Sequence, residues 1–207
     1  MGTSEELRRI TMTPAARRAL AAAGRLFYDR GIHAVGVDLI AAEAGVTKKT
    51  LYDRFGSKEQ IVVEYLADRD ERWRAFLAER LDAAPSAPRA RVRAVFDASR
   101  AWMSDNGSKG CSMVNAHAEI SDPAHPAHPA HPAHAVITGQ KQWTLDLFTR
   151  LARDVEGLGP DAADRLGRTL MLLHEGALVA HGLKVFPDPV AHARDEAEAL
   201  LAEATER

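Results

Sequence analysis

Residues 37–55 read VDLIAAEAGVTKKTLYDRF, and this stretch decides the fold. Ile40, Ala41 and Ala44 recur at helical spacing in its first half, and Leu51 and Phe55 in its second. Gly45 sits between the halves, where the chain must reverse steeply, and glycine enters the left-handed backbone region at no steric cost. Ala41 is small enough to let two helices cross closely just before such a turn. Thr47 then restarts the helix as an N-cap, its hydroxyl accepting from a free backbone N–H. Two short helices joined this way make a helix-turn-helix, a motif whose second helix enters the major groove of DNA.

The outward residues of that second helix suit the task. Thr47, Lys48, Lys49, Thr50 and Tyr52 present two cations, two hydroxyls and a phenol, which serve for phosphate contacts and base-edge hydrogen bonds. A helical hairpin with a solvated basic face has the same local composition, so the flanking sequence has to discriminate. Charge does part of that work. The whole chain carries a formal net charge of −2. Between residues 8 and 58, however, ten basic residues stand against four acidic ones, a local net of +6, which leaves −8 for the remainder. A basic head on an acidic body is the asymmetry of a DNA-binding module joined to a sensing module.

The flanks complete a longer pattern. AARRALAAAGRLFYDRG at 15–31 is a helix ending in aromatic-x-x-x-Gly, and the helix-turn-helix runs on through LYDRF into GSKEQIV at 56–62. Together these pieces resemble the N-terminal signature of the TetR family of bacterial repressors, over roughly residues 13–65. The resemblance implies that Tyr52 and Lys58 contact the DNA backbone while Leu51 and Phe55 are core. Gly36 departs from the family pattern, which usually has Ser or Thr capping the first helix of the motif. Glycine is a weaker but acceptable N-cap. The expected DNA-contacting set is therefore Gly36, Thr47, Lys48, Lys49, Thr50, Tyr52 and Lys58.

At 207 residues the chain can hold a small domain fused to a larger one. Alternating β-branched runs are nearly absent, so the fold class expected is all-α, with a helix-turn-helix domain over 1–57 and an effector-binding and dimerisation domain over 58–207. Further helices are expected over 58–84, capped by Ser57 and stopped by Pro85, and over 88–107, 110–123, 141–157, 163–186 and 189–206. Leu166, Leu170, Leu173, Ala177 and Ala180 on one of the last two, and Ala193, Ala197, Leu200 and Leu201 on the other, are expected to pack against their symmetry mates as a four-helix dimer interface. That is also where TetR-like proteins dimerise. The apolar run LMLLHEGALVA at 170–180 is too short to span a bilayer. MGTSEELRRI at the N-terminus has no signal-peptide core, and one cysteine, Cys111, permits no intrachain disulfide; both fit a cytoplasmic protein.

An effector pocket is expected in the body. Cys111, Asn115 and Glu119 fall at i, i+4 and i+8 and would share one face of a helix. With Trp102, Trp143 and His174 they are the expected ligand-facing residues of a mostly apolar cavity. Asn115 and Glu119 equally fit a role in bridging neighbouring helices, and His174 a role as a satisfied core histidine. The segment PAHPAHPAHPAH at 123–134 raises a metal-responsive alternative, since neutral imidazoles ligate zinc, nickel or copper. Proline at every third residue favours an extended strand with no fixed cage, so no metal site and no cofactor is assigned. A glycine-rich phosphate loop, paired zinc cysteines and a Gly-x-Ser-x-Gly elbow are all missing. The expectation is a ligand-responsive, homodimeric repressor of a palindromic operator on double-stranded DNA, and not an enzyme.

Overall fold

Thr13 opens the first helix: its side chain accepts from the Ala16 N–H, Pro14 takes the N1 position that needs no donor, and α1 runs Pro14–Arg30. The computed structural model describes residues 9–107, 109–120 and 131–205. Among them lie nine helices and no strand. After α1 come α2 (Val37–Ala44), α3 (Lys48–Phe55), α4 (Lys58–Ala83), α5 (Pro88–Asn106), α6 (Ser112–Ile120), α7 (Ala133–Arg153), α8 (Pro160–Leu183) and α9 (Pro189–Thr205). No described helix is long and apolar enough to cross a membrane.

The contacts divide the chain into two units, the first running to Asp70 and including Ser112–Gly139, the second made of Glu71–Cys111 and Gln140–Arg207. By these contacts the first turns of α4, 58–70, pack with the first unit. The first turns of α4 bury Ile61, Val62 and Leu66 in the first unit, and Tyr65 lies 5.7 Å from the Phe27 ring of α1. Helices α1, α2 and α3 pack on one another there.

In the second unit, α9 packs on both α5 and α8. Phe96, Phe148 and Leu170 are fully buried in its core. Helices α7 and α8 cross so closely at Gly167 that an added Cβ would stand 2.7 Å from the Thr149 Cα. Helix α8 corrects one expectation. Leu170 and Ala177, read as an interface stripe, face the core of their own chain, as do Ala193, Ala197 and Leu201 of α9. The outward apolar residues of α8 are Leu172, Val179 and Leu183, exposed by 74%, 43% and 71%. This helix has apolar residues on two faces, and periodicity alone does not say which face looks inward.

Three boundaries also move. Helix α7 begins at Ala133, inside the last Pro-Ala-His copy, and α8 begins at Pro160 behind Gly159. Helix α6 begins at Ser112, so Cys111 precedes it and the expected single-helix trio of Cys111, Asn115 and Glu119 does not form.

Candidate functional site

Gly45 adopts φ 62° and ψ 39°, and its N–H returns to the carbonyls of Ala41 and Ala42, which ends α2 and turns the chain into α3. Thr47 Oγ1 then accepts from the Thr50 N–H at 3.0 Å and lies 2.9 Å from Thr50 Oγ1. Leu51 and Phe55 are buried beneath α3, which fixes the helix's rotation. Thr47, Lys48, Lys49 and Tyr52 are consequently exposed and Thr50 half-buried. Gly36 caps α2 with no side-chain hydrogen bond. Lys58, at the start of α4, is half-buried, and burial lowers its ammonium pKa against the raising effect of Glu59 and Glu119.

Both lysines of α3 already hold partners. Lys48 Nζ donates to Asp38 Oδ2 at 3.0 Å, across the turn onto α2, and Lys49 Nζ donates to Asp53 Oδ2 at 2.7 Å along α3. The hydrogen bond and charge of Asp38 raise the Lys48 pKa, so it stays a cation. These exposed pairs are weak and salt-screened. A phosphate can replace either carboxylate.

The α1–α2 loop is held from an element that spacing did not connect to it. Glu119 Oε2 of α6 accepts from the His33 N–H at 2.8 Å. At Gly31, φ is +88°, and an added Cβ would meet the same carboxylate at 3.0 Å. Glu119 therefore bridges elements of the first unit. Asn115, on the same helix, is exposed.

The other expected ligand-facing residues lie in the second unit. Trp102 is buried, edge-on to Trp73 at 5.6 Å and to Phe76 at 5.2 Å. His174 is buried between Phe96 and Phe148, its Nε2 2.9 Å from Ser99 Oγ. The Ser99 hydroxyl donates to the Val95 carbonyl at 2.8 Å, so the ring supplies the proton of the histidine–serine bond. Lys141 Nζ joins Glu175 Oε2 at 2.6 Å to Cys111 Sγ at 3.2 Å. Burial alone would raise the Glu175 carboxyl, but its neighbours His174 and Lys141 hold it at about 2. His174 Nδ1 lies 3.6 Å from Glu175 Oε1, on the side of the carboxylate away from the Lys141 contact.

Trp143 lines a pocket of about 520 Å³ formed by α4, α5 and α7. Its walls are Leu77, Leu81, Leu147, Leu151 and Trp143, with Arg74, Arg91, Arg150 and Arg153 among them. Arg74 stacks on the Trp143 ring at 4.5 Å. Of the six residues expected to face a ligand, Trp143 is the one on this wall. The arginines carried no sequence signal, because an arginine facing a cavity and one facing water look alike at helical spacing.

No group of three or more His, Cys, Asp or Glu is placed to hold a metal ion among the described residues. Most of the Pro-Ala-His repeat, 123–130, lies outside them.

Residues 19–65 match the family model described as bacterial regulatory proteins, tetR family. Over nearly its full length the chain is similar to a solved TetR-family transcriptional regulator from Streptomyces coelicolor. The two share 34% identity at a TM-score of 0.79, covering 92% of this chain and 96% of the other. The chain belongs to the TetR family. It is an all-α transcriptional regulator with an N-terminal helix-turn-helix and a C-terminal helical domain, and not an enzyme. Two curated relatives from Mycolicibacterium smegmatis match in the DNA-binding region. The transcriptional activator FasR is 49% identical over 47 residues, and the transcriptional repressor KstR2 is 47% identical over 57 residues. Those matches cover 23% and 27% of this chain, and 22% and 28% of the relatives' own lengths. As a TetR-family helix-turn-helix, α2–Gly45–α3 is the DNA-binding element, and its second helix is α3.

Proposed function

We propose that this TetR-family regulator acts as a homodimeric repressor that binds a palindromic operator and is released by a small molecule. The observation that carries the DNA-binding part is the outward face of α3: Lys48, Lys49, the Thr47–Thr50 hydroxyl pair and the phenol of Tyr52 stand over a buried Leu51 and Phe55. Lys48, Lys49, Tyr52 and Lys58 contact phosphates and so position the helix, while Thr47 and Thr50 are placed for base edges. Gly36 opens α2 close to the backbone of the DNA.

Dimerisation is supported by the outward leucines of α8. An apolar stripe of Leu172, Val179 and Leu183 is the face a second copy would cover. Two recognition helices in one dimer would then enter successive major grooves about 34–36 Å apart.

Release is supported by the pocket of the second unit and by α4, which lines it with Arg74 and Leu77 and begins at Lys58 beside the DNA-binding helices. A ligand acts only through its different affinity for the binding and releasing arrangements. A coupling of about 1–3 kcal/mol changes operator affinity about 5–150-fold.

The test is an operator selected from a random duplex pool, followed by titration across salt. Lys48→Ala with Lys49→Ala should weaken binding and lower the salt slope by roughly two, because each lost phosphate contact releases about one counterion fewer. An unchanged slope in the double variant would remove both lysines from the interface.

A further inference from the structure

The pocket between α4, α5 and α7 has a chemistry that restricts what can enter it. Its apolar walls, Leu77, Leu81, Leu147, Leu151 and the Trp143 ring, suit a hydrocarbon or aromatic body. A volume of about 520 Å³ accommodates one small molecule. Charge is distributed unevenly in it. Two carboxylates, Asp82 and Asp154, belong to the lining and both are exposed. Arg74 and Arg91 are half-buried, and Arg150 is exposed. Arg153 is committed to Asp164 at 2.8 Å.

Arg91 is the decisive group. Its Nε is buried and donates to no acceptor of the protein. A buried guanidinium N–H with no acceptor keeps its desolvation cost uncompensated. With Nε sealed from the pocket, the edge that Arg91 can offer a ligand is its two terminal nitrogens, a planar two-donor fork that matches the two oxygens of a carboxylate. Arg74, its guanidinium carbon 4.5 Å from the centroid of the Trp143 ring, adds a second positive charge to the same lining.

We propose that the pocket binds a lipophilic carboxylate, with the acid group on the Arg91 fork and the apolar body along Leu77, Leu147 and Trp143. The regulatory consequence rests on the release reading above; the binding itself does not.

The experiment compares two acids with the neutral alcohols of the same skeletons: decanoate with 1-decanol, and 2-naphthoate with 2-naphthalenemethanol. Binding to the full chain is measured by calorimetry and by tryptophan fluorescence. Each acid should bind roughly tenfold or more tightly than its alcohol, since the fork makes charge-assisted bonds with the carboxylate alone. Arg91→Met keeps the stem and removes the fork. It should abolish the preference while leaving the alcohols within about twofold. Leu147→Trp fills the pocket and should remove binding of acids and alcohols together. The melting curves of both variants show whether they fold.

Equal affinity for acid and alcohol, unchanged in Arg91→Met, would overturn the carboxylate assignment and leave the release reading intact. Absence of saturable acid binding at millimolar concentration would overturn the site. Acid binding that follows the expected pattern without altering operator affinity would support the site and overturn the release reading.

Discussion

Lys48 and Lys49 each hold a carboxylate, Asp38 and Asp53, that DNA would displace at the proposed interface. Lys49 with Asp53 is the simpler case, since both lie on the exposed side of α3 and nothing else depends on the pair. Asp53→Asn should free the ammonium and remove a charge that repels phosphate. Operator affinity should rise about two- to fivefold at low salt and converge with the parent at high salt, as measured by titration. At Glu175 the sign is worked out from its folded-state pKa of about 2 against an ordinary value of 4.5. A depressed carboxyl contributes stability that is fully present above the ordinary value and is lost as pH falls through the folded one. Glu175→Gln should therefore lower the melting temperature at neutral pH, because Lys141 loses its 2.6 Å partner. The gap between variant and parent should close from about pH 4.5 to about pH 2, and a gap constant over that window would exclude ionisation as its source.

At the scale of an element, α8 shows two backbone conflicts with opposite remedies. Lys184 ends it in the left-handed region, with φ 55° and ψ 41°, a conformation that costs a side-chain-bearing residue about 1 kcal/mol. Lys184→Gly should raise stability by about 0.5–1 kcal/mol, the relief being partly offset by the larger entropy of glycine in the unfolded chain. Gly167→Ala should do the reverse by about 1–3 kcal/mol, because its methyl would collide with the Thr149 backbone rather than with a movable side-chain tip. Denaturant midpoints of the two variants, shifting in opposite directions, check both. Helix α6 carries a comparable lesson for function. Its Glu119 reaches the loop after α1 through 86 residues of sequence separation. No spacing rule connects such a pair, since contact across that distance exists only after both helices are placed.

For the whole molecule, the proposed dimer depends on which face of α8 is left outside. Leu172→Glu with Leu183→Glu alters two side chains that lie outside their own core, so the monomer should keep its helical content and melt cooperatively. Sedimentation should show the parent as a dimer and the double variant as a monomer. Operator affinity should fall by orders of magnitude, because each head then binds without the other. A variant that remains dimeric would place the interface elsewhere.

The local elements of this protein were determined by sequence alone, for a physical reason. Thr13, Thr47 and Ser57 cap helices and Gly45 turns the chain through interactions that span at most four or five residues, and the i, i+4 spacing of Leu51 and Phe55 marks the face of α3 that turns inward. The capping, the turn and the exposed polar face of the DNA-binding helix were legible for that reason. What the tertiary structure decided is everything that depends on which surfaces meet. It turned Leu170 and Ala177 inward and Leu172 and Leu183 outward on a helix that is apolar on both sides. It placed Glu119 under the α1–α2 loop and Arg91 in a pocket, although neither residue's neighbours in sequence distinguish it from a solvated charge. Side-chain periodicity specifies a face of a helix, and only packing against a distant element specifies what that face touches.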